Sequence, residues 1–188
     1  VFGACAGAAL YRRSMFNSIG LFDEDFFAYL EDVDFNMRAV RSGRECRYLP
    51  GAKVYHIGSA TSGSKINSLT VRLSTRNNLL VMFKNYSLPI FLRFLPAILV
   101  YQFFWLLLVI KKKQFGAYLG GLWEGIKIAG KMIAKGRKIR SAPDVISDSR
   151  FAELIVAAEK LAVQSIMRRR TQAGKGNSLL HLYLKTFC

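Results

Sequence analysis

Apolar and polar positions divide the chain into three stretches, and the first alternates short runs with turn signals. "ACAGAALY" is small and apolar, suiting a buried strand or a close backbone approach. "RRSMFNSIG" predicts a short helix stopped at Gly20. From Asp32, Val33, Met37 and Val40 recur at i, i+4 and i+7 and give a helix one apolar face. Arg38, Arg41 and Arg44 lie toward the end of that helix, where cations suit its dipole, and Gly43 supplies the stop. "ECRYLPGAKVYHIG" predicts two extended runs around a Pro50–Gly51 turn. Residues 58 to 68, "GSATSGSKINS", form a polar loop, either a flap able to close over a ligand or a solvated connector. "SLTVRLSTRNNLLVMFKNYS" returns to a helical pattern.

From residue 88 the character changes: "LPIFLRFLPAILVYQFFWLLLVI" is apolar except for Arg93 and Gln102. That length just meets the roughly 20 residues a membrane helix needs. Pro89, Pro96, Arg93 and Gln102 weaken a straight span, and both flanks are basic, so charge gives no direction. A re-entrant or in-plane element with both ends at the cytosolic face is expected, with a spanning helix or a buried core helix as the alternatives. Residues 111 to 140 hold nine Lys/Arg and one acid, Glu124, among aliphatic residues and Trp123. This suits interfacial helices on anionic lipid. Residues 148 to 167 predict one amphipathic helix. The expected division is 1–86, then apolar and basic membrane-associated helices over 87–140, then an amphipathic helix and tail over 141–188.

Charge sharpens this division. Residues 1 to 60 hold seven basic and seven acidic residues, so the whole net charge of +16 falls on the remainder. Basic residues interleaved with long aliphatic runs, and no recognisable nucleic-acid module, point to an anionic membrane surface and away from nucleic acid. Cys5, Cys46 and Cys188 show no metal-ligand spacing and fit a reducing, cytosol-facing compartment. The chain opens on "VFGACAGAALYRR" without Met and reads as the interior of a longer domain. There is no internal repeat.

The candidate chemistry lies in "FFAYLEDVDFNMRAVRSG", where Glu31, Asp32 and Asp34 crowd behind Phe26, Phe27, Tyr29 and Leu30. One acid at a helix start is ordinarily a cap or dipole partner. Three acids against aromatic residues repel one another and resist desolvation, which calls for a use. A carboxylate in a partly apolar cleft can act as general base toward a hydroxyl. His56, alone at a strand end, is either structural or a metal ligand. Arg12, Arg13, Arg72 and Arg76 could grip phosphates, with Arg13 and Arg76 kept as candidates.

Taken in order, "GAALYRRSMFNSIGLFDEDFFAYLEDVDFNMRAVRSG", "YLPGAKVYHIGSAT" and "TRNNLLVMFKNYS" resemble the C-terminal half of a family 2 glycosyltransferase catalytic domain, of the rhamnosyltransferase-like branch that builds cell-surface polysaccharide. The resemblance covers residues 3 to 86. It implies an α/β chain, a partial GT-A (Rossmann-like) domain lacking its N-terminal nucleotide-binding half, followed by an α-helical membrane-associated region. It implies inverting transfer from a nucleotide-diphospho-sugar to a glycan or lipid-linked acceptor at the cytoplasmic face of the membrane. Asp32 would be the base, Glu31 would orient the acceptor, and Phe27 and Tyr29 would wall its pocket. Asp34 would cap the helix and bind no metal. His56 would assist a Mg²⁺ or Mn²⁺ ion held mainly by residues elsewhere. The alternative is a catalytically inactive, truncated, membrane-associated scaffold.

Overall fold

A computed structural model describes residues 1–55 and 66–188. Among the described residues there are eight α-helices and no strand. These are α1 (Arg13–Ile19), α2 (Glu31–Arg41), α3 (Ser68–Asn85), α4 (Leu88–Lys111), α5 (Phe115–Lys127), α6 (Ala129–Arg140), α7 (Asp148–Gln172) and α8 (Ser178–Phe187). The expected α/β, Rossmann-like class is therefore wrong for this chain. Among the described residues, the segments read as strands are extended or turn-like but lack ladder partners. Ala6–Ala8 forms a 3₁₀ turn, and the Val1 amino group donates to the Cys46 carbonyl at 3.1 Å with no ladder beyond it. A strand satisfies its backbone only through a neighbour, so extended propensity without one makes no sheet. The Pro50–Gly51 turn is present, closed by Ala52 N–H donating to Leu49 C=O at 3.1 Å.

Local chemistry explains most helix ends. α1 stops at Gly20 with φ +80°, a conformation that suits glycine. α3 opens with a reciprocal cap, Thr70 N–H donating to Asn67 Oδ1 and Asn67 N–H to Thr70 Oγ1, both at 2.9 Å. Ser147 caps α7, accepting from Arg150 N–H at 3.2 Å.

The core forms where α2 and α3 meet α6 and the start of α7, with Phe26, Leu80, Met132 and Phe151 fully buried. α3 is the central helix, because α5 and α6 pack along it at close range. A Cβ on Gly121 would stand 2.4 Å from the Arg72 carbonyl oxygen, and one on Gly136 would stand 2.0 Å from that of Lys84. Any larger residue there must push a helix away.

Charged side chains stitch the same helices. Asp34 is fully buried; its Oδ2 accepts from Arg38 Nε at 2.9 Å and Lys84 Nζ at 2.8 Å, and its Oδ1 from Asn85 Nδ2 at 3.0 Å. Lys84 also donates to Asp23 at 2.7 Å, and Lys135 of α6 reaches Asp23 and Asp25 at 2.7 Å. Asp34 is thus the hub of a buried ionic cluster and not the cap expected of it.

α4 is one uninterrupted helix, and Pro96 within it does not break it. Its 24 residues extend about 36 Å at 1.5 Å each, long and apolar enough to cross a membrane. Only 6% of its most apolar stretch is buried, so it is not a core helix of this chain. Leu99, Phe103, Phe104 and Leu107 face outward, as do Phe115 and Trp123 on α5.

Two outcomes follow from this packing. Burial alone would raise the Asp23 carboxyl; hydrogen bonds and charge from Lys135 and Lys84 outweigh it and bring the pKa down to about 2. The unfolded value is about 3.9. The folded form holds a proton less readily than the unfolded one, so this stabilisation is complete above pH ~4 and is lost as pH falls toward 2. It amounts to roughly 2 kcal/mol. Melting temperature should drop across that window, and less so in Lys135→Met. Separately, Gly136→Val should destabilise the protein by about 1–3 kcal/mol, read from thermal melts in detergent.

Candidate active site

The loop before α2 is held in an unusual shape. Phe27, Tyr29 and Leu30 have φ of +60°, +69° and +65°, which non-glycine residues seldom adopt. Ala28 N–H donates to Phe26 C=O at 2.7 Å, closing a γ-turn of the rare, strained hand at Phe27. Each such residue costs on the order of 1–3 kcal/mol and persists only when its surroundings enforce it.

Asn77, fully buried on α3, provides much of that enforcement. Its Nδ2 donates to the carbonyls of Phe26 (2.9 Å), Ala28 (2.8 Å) and Tyr29 (2.6 Å). Arg76 adds bonds to the Asp25 and Phe26 carbonyls at 3.1 and 2.8 Å and donates to Asn77 Oδ1 at 2.8 Å. The Arg76 guanidinium, considered above for substrate, therefore braces the loop.

This loop delivers Glu31 and Asp32 as the first two residues of α2. Asp32 is partly exposed. Its Oδ2 accepts from Ala6 N–H at 3.1 Å and its Oδ1 from its neighbour Val33 N–H at 2.8 Å. The carboxylate fronts a cleft of about 500 Å³ between the N-terminal segment and α7, with Asn36, Ile155, Ala158 and Glu159 among its walls. A carboxylate has about four lone-pair sites, so two amide donors leave room for a ligand hydroxyl. Asp34, two residues on, is closed off by Arg38, Lys84 and Asn85.

Glu31 Oε2 is buried without a hydrogen-bond partner among the described residues, as is the hydroxyl of Tyr11. Burial first, and then the negative charge of Asp32, raise the Tyr11 phenol above its usual range, with Cys46, Cys5 and Glu31 adding to the effect. Tyr11 packs edge-on against Phe35, ring centroids 5.1 Å apart. The Tyr11 ring thus sits on an aromatic floor of Phe16, Phe22 and Phe35, near enough to Asp32 and Glu31 to feel their charge. Phe27 is 80% exposed and Tyr29 is at the surface, and neither lines the cleft in front of Asp32. Arg13 opens α1 as an exposed residue. His56 and residues 58–65 of the flap lie outside the described residues.

No group of three or more His, Cys, Asp or Glu among the described residues is arranged to hold a metal ion. Asp23 and Asp34 are neutralised by lysines, and the expected Mg²⁺ or Mn²⁺ ligand, His56, is outside the described residues.

Sequence reading gave no role of their own to Asn77, Lys84 and Tyr11. A signal for two of them exists: Leu73, Asn77, Leu80 and Lys84 fall at i, i+4, i+7 and i+11 on one buried face of α3. Polar residues that interrupt an apolar stripe need dedicated partners.

No family model matches the chain, and no solved structure does. Two curated proteins are similar to part of it, from Mycobacterium tuberculosis strains CDC 1551 / Oshkosh and ATCC 25618 / H37Rv. Each is named an N-acetylglucosaminyl-diphospho-decaprenol L-rhamnosyltransferase and is 41% identical over 61 residues. The match takes in 32% of this chain and 19% of the relative, so the chain spans about a fifth of the length of these relatives. Over that stretch the likeness is to a sugar transferase.

Asn77→Ala should remove the donor from three strained carbonyls. We expect a loss of roughly 1–3 kcal/mol and faster amide hydrogen exchange over residues 26–32. Exchange unchanged in that loop would show that it holds its shape without Asn77.

Proposed function

We propose that the chain carries the acceptor side of a membrane-held inverting glycosyltransferase of cell-surface polysaccharide synthesis. The donor is a nucleotide-diphospho-sugar, and the acceptor is a glycan carried on a lipid diphosphate. The observation behind this reading is the contrast within the acidic cluster: Asp34 is sealed by cations while Asp32 fronts an open cleft. The partial likeness to proteins named rhamnosyltransferases supports it and suggests a deoxyhexose donor and a lipid-linked amino-sugar acceptor.

In this reading Asp32 is the general base. An acceptor hydroxyl hydrogen-bonds to its free lone pair and gives up its proton as the oxygen bonds to the anomeric carbon. The bond from that carbon to the diphosphate breaks on the opposite face, and the electron pair leaves with the nucleoside diphosphate. Attack opposite the leaving group inverts the configuration. Glu31, next to Asp32, would orient the acceptor once its buried, unpartnered Oε2 is uncovered, since it does not itself line the cleft. The two backbone amides on Asp32 hold its carboxylate in one orientation, which proton transfer in the transition state requires.

The membrane attachment has its own support. α4 is long and apolar enough to span a bilayer, and lysines follow it at 111–113. Trp123 is exposed on α5 and Lys131 and Lys138 on α6, a mixture suited to the headgroup layer of an anionic cytosolic leaflet.

The test is turnover, by the complete enzyme that contains this chain, of a nucleotide-diphospho-rhamnose donor with a polyprenyl-diphosphate-linked amino-sugar acceptor. Asp32→Asn should cut turnover by roughly 10²–10⁴-fold while leaving donor binding and the melting temperature near wild type. Undiminished turnover would remove Asp32 as the base. A wild-type protein that binds anionic vesicles and transfers nothing would be a membrane-associated interaction protein instead.

A further inference from the structure

α4 lies beside α3 and runs the opposite way. Near its start Phe94 packs on Tyr86, ring centroids 6.0 Å apart, and near its end Trp105 Nε1 donates to the buried Thr75 Oγ1 at 2.9 Å. Between these levels Ala97 and Ile98 share a cavity wall with Val81 and Met82. Over the same stretch α3 carries Arg76, which braces the loop before α2, and Lys84, which holds the Asp23 and Asp34 carboxylates. α6 flanks that stretch too, its Gly136 closing on the Lys84 carbonyl, and it exposes Lys131 and Lys138. An α4 standing upright through a bilayer would draw the ionic cluster and these exposed lysines into hydrocarbon. Charges there need partners and water that lipid does not supply.

We propose that α4 lies flat in the surface layer of one anionic leaflet, its outward face among the upper acyl chains and both its ends at headgroup level, and does not cross the bilayer. The outward face is a continuous apolar stripe. Leu92, Leu99, Phe103, Leu107 and Ile110 recur along it at helical spacing, each about half exposed, while Gln102 turns its Oε1 inward. Cations stand at both ends, Arg93 near the start and Lys111, Lys112 and Lys113 at the finish, all exposed. In a flat helix each of them reaches the phosphates of one leaflet, whereas in an upright one Arg93 would sit below the headgroups. The same cations argue against a second copy of this chain as the cover. Two α4 helices laid face to face would set cation against cation at each end, whichever way they ran. α5, which follows the turn at Lys113, exposes Phe115, Leu119 and Trp123 at i, i+4 and i+8. The Lys127 ammonium lies 5.0 Å from the Trp123 ring, a pairing suited to the headgroup layer.

This inference rests on the membrane attachment proposed above and not on the transfer chemistry. The experiment uses the complete enzyme that contains this chain, its native cysteines replaced by serine, in sealed vesicles of phosphatidylcholine and phosphatidylglycerol. A double variant, Leu88→Cys with Lys112→Cys, places a thiol at each end of α4. A membrane-impermeant maleimide is added and the intact mass is read, before and after the vesicles are opened with detergent. A flat helix has both thiols on one side, so each molecule in sealed vesicles should carry two labels or none, whichever way it is inserted. One label per molecule before opening and two after would show a crossing helix, overturning the proposal while keeping the attachment. Separately, a nitroxide on Leu99→Cys should report a depth of roughly 5–10 Å below the phosphates. A nitroxide in water, or one shielded by a second copy, would also overturn it. Leu99→Glu with Phe103→Glu should weaken vesicle binding roughly ten-fold or more and leave the melting temperature near wild type, because both side chains lie outside the fold. Binding indifferent to that pair would remove the face from the contact. Wild-type protein that does not bind the vesicles at all would remove the membrane attachment and this inference together.

Discussion

The fold depends on one buried carboxylate. Asp34 has no exposed surface, and taking an unpaired carboxylate so far from water would cost several kcal/mol. Arg38 comes from the next turn of the same helix, Lys84 and Asn85 from the end of α3. Lys84 shares its charge with Asp23, which Lys135 also pairs, so the ionic cluster runs on to Asp25 and α6. The same Arg38 donates to the carbonyls of Ile19 and Leu21, which ties the end of α1 to α2. One ionic cluster therefore sets the relative positions of α1, α2, α3 and the loop between α1 and α2. Removing a partner would strand a charge, so none of these elements can shift without cost.

With α2 anchored, the loop ahead of it can be strained. Three non-glycine residues with positive φ, Phe27, Tyr29 and Leu30, would relax if left free, and Asn77 holds the loop through the carbonyls of Phe26, Ala28 and Tyr29. The consequence is directional. The strained turn sends the chain into α2 without a side-chain cap, so Glu31 and Asp32 are not consumed as capping groups. Asp32 is instead held by the amide of Ala6, a residue 26 positions earlier, and turned toward the α7 cleft. Strain near a candidate base, balanced by a fully buried amide, is a recurrent feature of preorganised sites.

The outer part of the molecule obeys a different solvent. α4 and much of α5 present large apolar residues that nothing among the described residues covers, while α5 and α6 grip α3 through glycine contacts and the Arg72–Glu124 pair. Trp105 Nε1 donates to Thr75 Oγ1 at 2.9 Å, so α4 is tied to the same scaffold as the acidic cluster. The helix long and apolar enough to cross a membrane is thus tied to the same scaffold as the residues proposed to do chemistry.

The helices were legible because their signals are local. The Val33, Met37, Val40 spacing, the stop at Gly20, the turn at Pro50–Gly51 and the apolar length of α4 are properties of neighbours in sequence, and each has its counterpart in the structure. The acidic cluster was legible as a place and not as an arrangement. Residues 31, 32 and 34 carry the same charge and lie within one helical turn, so no local pattern ranks them. Their ranking comes from partners far along the chain: Lys84 and Asn85, 50 and 51 residues after Asp34, seal that side chain, while Ala6 and α7 leave Asp32 facing a cleft. Strands failed for the complementary reason. Extended propensity in residues 4–11 and 45–55 was real, but a sheet exists only between strands, and no described segment lies alongside to complete the ladder. By itself the sequence determined where the chain coils and which stretch suits lipid. The tertiary contacts decided which carboxylate is buried and which is free, because burial depends on partners distant in sequence.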